Sequence, residues 1–244
     1  MPSETSKSKA FKIAYFLDPK GFERIVKILN DVSKDLEISI GCNDGSSIKF
    51  SSPNELLEFT NSESRCIQTV TLATPWGKKP HIYVRFRSTK YSSPVEYEIS
   101  GDDKTVFYYS GKLDECVSTF RLWYTPIAFL DFTNLLLGFA FAAFIGIVLW
   151  AFFSLLRSDL SQSMKEEITQ RDIFIQLGLW LAYGSLFVIG AAANLFRNRL
   201  FPIANFSISD GLNRFNSLEF WRRTLGVGFI LSIIASLVAT LLVK

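Results

Sequence analysis

Histidine is almost missing from this chain: there is one, His81, in 244 residues, beside two methionines and three cysteines. A lone histidine cannot build a His-rich metal site, and no Cys-x-x-Cys stands by to help it. There is no Walker loop and no Gly-x-Ser-x-Gly, and no Gly-x-Gly-x-x-Gly follows a strand. Cys42, Cys66 and Cys116 are odd in number and lack paired spacing, which argues against a disulfide framework. They read as reduced, buried thiols of a reducing compartment. A net charge of +3 leaves no nucleic-acid footprint, so no nucleic-acid partner is expected. The opening MPSETSKSK has no apolar core, so no cleavable signal is expected. Asp102 and Asp103 are neighbours in a turn and point apart, so they make no catalytic dyad. No catalytic residue, cofactor or metal is expected, and the chain is not read as an enzyme.

Long apolar runs are what the chain does have. Leu135–Phe153 is free of charge and long enough for the roughly 20 residues that cross a bilayer core. Ile173–Leu195 and Leu225–Val243 repeat the pattern. Mean hydropathy is +0.22, between a soluble domain and a lipid-buried one. Composition shifts near Tyr124, with dense, balanced charge before it. The expectation is an α+β cytosolic domain followed by a three-helix transmembrane region. A flexible tail covers 1–9, a soluble domain 10–125 and a membrane domain 126–244. Spans are placed at about 132–156, 173–196 and 224–243, and an interfacial amphipathic segment at 197–223. Arginine and lysine asymmetry puts the N-terminal domain in the cytoplasm and the C-terminus on the other side.

The first half reads as follows. Phe11–Leu17 is a strand, and Asp18-Pro19 caps a helix over 19–34. Leu36–Cys42 and Ser47–Ser51 form a hairpin around Asn43-Asp44-Gly45. Ser52-Pro53-Asn54-Glu55 opens a short helix. Strands follow at Arg65–Ala73, His81–Ser88, Val95–Ser100 and Thr105–Tyr109, and a helix holds Leu113, Val117 and Phe120. Tight turns between strands predict a mostly antiparallel sheet with helices on one face.

Alternation on His81–Ser88 puts Tyr83, Arg85 and Arg87 on one face, a possible ligand or partner strip. The plainer reading pairs these arginines with Glu96 and Glu98 on the next strand. The loop Thr74–Pro80, aromatic and basic, is either a contact loop or plain surface. Asp131 is placed as the N-cap of the first long helix. Small residues at four-residue spacing mark helix-packing stripes: Gly138, Ala142 and Gly146; Gly178 and Ala182; Gly228, Ser232 and Ser236. In 197–223, Arg214, Trp221, Arg222 and Arg223 are assigned to lipid headgroups. The alternative docks that segment under the folded domain.

These readings imply a multi-pass protein of the cell inner membrane whose cytosolic domain recognises an unknown ligand. Its partners would be the lipid bilayer and further copies of itself, as a self-assembling sensor or effector. A small cytosolic domain, few helices and no catalytic motif resemble, in layout, bacterial membrane effectors of phage defence. The alternative is a non-catalytic docking subunit of a larger membrane complex.

Overall fold

A computed structural model describes residues 5–89, 92–157, 170–208 and 211–242, with side chains described in part within the three long helices. It divides into two compact units, 1–129 with 200–244, and 130–199.

The first unit opens with β1 (Thr5–Phe11) and β2 (Tyr15–Leu17), then α1 (Pro19–Asn30). Asp18 caps α1 by accepting the Gly21 N–H at 2.8 Å, with Pro19 at the first helical position. The hairpin β3 (Glu37–Cys42) and β4 (Ser47–Phe50) turns at Gly45, whose φ of 82° suits glycine. Then come α2 (Pro53–Glu58), β5 (Ile67–Ala73), β6 (His81–Arg87), β7 (Val95–Gly101) and α3 (Asp103–Thr119), followed by the single turn α4 (Thr125–Phe129). The unit resumes after residue 199 with β8 (Ala204–Phe206) and α7 (Gly211–Leu242). The second unit holds α5 (Phe132–Arg157) and α6 (Gln170–Leu200) up to residue 199.

Six strands form an antiparallel sheet in the order β1-β7-β6-β5-β3-β4, while β2 pairs parallel with β8. One face of the large sheet is apolar and buried. Ile38, Ile40, Val70, Leu72, Ile82, Val84, Phe86, Tyr97 and Ile99 share a core with Phe22, Ile25 and Leu29 of α1 and with Val106, Leu113 and Val117 of α3. The fold is therefore α+β with an antiparallel sheet, as its alternating strands predict.

Some elements differ from expectation. The stretch read as a tail enters β1 at Thr5, held by β7 and by Lys7 and Lys9, which donate to Ser110 and Asp114. Thr105–Tyr109 is no strand but the start of α3. Asp102 caps it, accepting from both the Thr105 N–H and its hydroxyl.

The larger correction concerns the membrane. Among the described residues, no helix is long and apolar enough to cross one. The described part of α6 runs into Arg197 and Arg199, and the start of α7 carries Arg214, Glu219, Arg222 and Arg223. The three-helix transmembrane region and the integral-membrane localisation with opposed termini are not supported. Neither are the two functions built on them, the membrane effector and the docking subunit of a membrane complex.

Residues 200–208 and 211–223 dock on the folded head. The Tyr15 N–H donates to the Ile203 carbonyl at 2.8 Å, and the Ser207 N–H to the Leu17 carbonyl at 2.9 Å. Buried Asn61 joins three elements: its amide donates to the Phe206 carbonyl, its side-chain oxygen accepts from the Ile67 N–H, and its backbone carbonyl accepts from Arg214. A Cβ on Gly211 would collide with the Phe206 carbonyl oxygen, so α7 starts where only glycine fits.

Candidate functional site: the uncovered face of the sheet

Every residue that points away from the core on these strands meets a neighbour in register. One row crosses the sheet as Lys49, Ser39, Thr71, Arg85, Glu96 and Ala10. The next runs Glu37, Ala73, Tyr83, Glu98 and Ser8. On the other flank lie Ser47, Gly41, Thr69 and Arg87. In the first row, small side chains on the adjacent β3 and β5 lie between larger ones on β4 and β6, which leaves a trough along the strands. It holds a hollow of about 550 Å³, bordered by Glu37, Ser39, Lys49, Thr71, Trp76 and Tyr83 among others. The hollow between α1 and α3, at Arg24, Lys27 and Cys116, is about 290 Å³.

Trp76 stands at the end of the trough and is 87% exposed. Its loop is set by Gly77 at φ 90° and a cis Lys79–Pro80 peptide. The His81 ring lies 5.1 Å from the indole, nearly perpendicular to it. His81 Nδ1 is 3.4 Å from the Thr74 hydroxyl oxygen, which already accepts the Ile82 N–H at 2.9 Å. Thr74 is fully buried, so this pair cannot present a nucleophile to a substrate.

The arginine strip takes the cross-strand pairing. Glu96 accepts from Arg87 at 2.7 Å and lies 3.6 Å from Arg85. Arg85 also covers the Tyr83 ring at 4.8 Å, and the Tyr83 hydroxyl is buried with no hydrogen-bond partner among the described residues. Burial holds the Arg85 guanidinium below its usual pKa; neighbouring Arg87 adds to this and Glu96 opposes it.

The residues assigned to headgroups part company. Arg222 is buried, donates to the Leu200 carbonyl and Glu219, and lies 4.5 Å from the Tyr124 ring centroid. Arg214 turns toward Asn61 and the Cys66 sulfur. Trp221 and Arg223 face outward. Burial, chiefly, pushes the Tyr124 hydroxyl up to about 12.

In the second unit, Asp131 accepts the N–H groups of Thr133 and Asn134, capping α5 as its position predicts, and Asn194 donates to Asp131 and Thr133. A Cβ at Gly138, Gly146, Gly178 or Gly228 would meet nothing within 4 Å. The close helix approach uses Gly190 instead, whose added Cβ would sit 2.8 Å from the Thr133 Cα. Ala142 is exposed, as are Ser232 and Ser236; the side chain of Ala182 lies outside the described residues.

Sequence reasoning marked Tyr83, Arg85 and Arg87 but passed over Glu37, Ser39, Lys49 and Thr71. Period-two alternation on β3, β4 and β5 carried the signal for their shared face; which strands are neighbours did not follow from it. No protein family, curated protein or solved structure matches this chain.

Proposed function

We propose that this is a non-catalytic recognition protein, and that its ligand lies in the trough on the uncovered face of the sheet. The observation that carries the reading is the exposed Trp76 indole standing beside a floor of small, hydroxyl-bearing side chains. A hollow of about 550 Å³ lies within the usual span of ligand sites. Binding is favoured over catalysis because the one histidine is tied to a buried threonine. Hydrogen exchange of the full chain against a fragment library tests this. Hits should protect β3, β5 and the 74–80 loop and vanish in Trp76→Ala. Hits confined to the α1–α3 hollow would overturn it.

A second reading concerns α5 and α6, where Phe139, Phe141, Phe144, Phe187 and Val188 are all more than half exposed. An apolar surface of this size marks an interaction site. We propose that it binds the same surface of a second copy. Light scattering on the full chain should give a mass above one chain, and Phe141→Lys should lower it. A monomer at all concentrations would end this reading.

A further inference from the structure

The trough can be read one step further, on the premise that it is a binding site. We infer that its ligand is a neutral, polyhydroxylated chain of hexopyranose units. The charges decide against a polyanion. Glu37 lines the hollow itself, and Glu98 follows in the same row of the sheet. The nearest arginines, Arg85 and Arg87, are held by Glu96. Inside the hollow Glu37 is offset by one cation, Lys49, so the lining carries both signs and no cluster of cations for a polyanion.

The lining mixes both characters: Ser39 and Thr71 bring hydroxyls, while Leu36, Ile38 and Phe50 bring apolar surface, which suits a ligand that is itself amphipathic. What the hollow offers is donors and acceptors side by side. Lys49 donates, Glu37 accepts, and the hydroxyls of Ser39 and Thr71 do both. A sugar hydroxyl is likewise donor and acceptor at one atom. The C–H face of a pyranose ring carries slight positive charge and is drawn to the negative face of an indole. Trp76 presents such a face to solvent, at one end of the row of hydroxyls. The hollow runs along β5 past Thr71 and Ala73 to Trp76, at roughly 3.3 Å per strand residue, which is longer than a single ring. An oligosaccharide suits this shape better than a monosaccharide.

The test uses the full-length protein with maltohexaose, cellohexaose and chitohexaose, beside ATP and a hexaglutamate peptide as anionic probes. Isothermal titration gives affinity, and saturation-transfer NMR shows which sugar protons touch the protein. At least one hexasaccharide should bind, with protons of one ring face saturated most strongly. Trp76→Ala should weaken it about tenfold, the scale of one aromatic contact. Thr71→Arg, which fills the floor without touching the core, should abolish it. Trp76-dependent binding of ATP or hexaglutamate, with no hexasaccharide bound, would overturn the sugar assignment and leave the site standing. Hexasaccharide binding unchanged in both variants would overturn the assignment of sugar to this trough. Silence from all five probes would count against the site and the sugar together.

Discussion

On β6, Ile82, Val84 and Phe86 are fully buried against the helices, while His81, Tyr83, Arg85 and Arg87 alternate with them on the open side. A single strand thus serves two environments one residue apart. On the covered face, side chains meet apolar neighbours and contribute to folding by leaving water. On the open face they meet one another across strands and contribute little to folding. Mutations should therefore separate by parity of position, and effects should be large on one parity and small on the other.

Val84→Asp should have the largest effect: a carboxylate forced into the core costs several kcal/mol, and no soluble folded protein should be recovered on expression. Phe86→Ala leaves a cavity between Tyr15 and Phe120 and should cost about 3–5 kcal/mol in urea unfolding. Alkaline pH should act on the covered side as well. Burial raises the Tyr15 hydroxyl well above its usual value and Tyr124 to about 12. Both raised groups stay neutral in the fold while the unfolded chain ionises from about pH 10. Stability should be intact below pH 10 and fall between about 10 and 12, by up to about 1.4 kcal/mol per pH unit for each group. Tyr15→Phe should stabilise by about 1 kcal/mol, because that hydroxyl is buried without a partner among the described residues, and should remove its share of the alkaline loss. Thr71→Ala and Trp76→Ala, on the open side, should each shift stability by under about 0.5 kcal/mol. A drop of several kcal/mol in either would mean that the two faces are not independent.

Much of the covered face was legible in the residues themselves. The alternation in HIYVRFR names both faces of β6, and Asp18-Pro19 marks the start of α1. Other parts depended on distant partners. TSKSKAF has no apolar alternation; β7 and the acceptors on α3 make it a strand. The aromatic run Phe107-Tyr108-Tyr109 favours a strand locally, but the Asp102 cap and the burial of Val106 and Ser110 win it for α3. The trough could not be read at all without the order β6-β5-β3-β4, because its floor and walls come from four strands. Arg222 was legible as a residue of note but not in its role. A guanidinium near three aromatic rings, with a carbonyl and Glu219 as acceptors, is a buried tie rather than a surface contact.

The parallel pairing of β2 with β8 sets an order of events during synthesis. Tyr15 and Leu17 are made early, yet their partners Ala204 and Phe206 leave the ribosome nearly 190 residues later, counting from Tyr15 to Ala204. At roughly 5–20 residues per second, the first 129 residues wait about 4–15 seconds with that edge bare. A gene split after Phe129 would yield an N-terminal piece lacking its last strand, and supplying residues 200–244 in trans should restore its solubility.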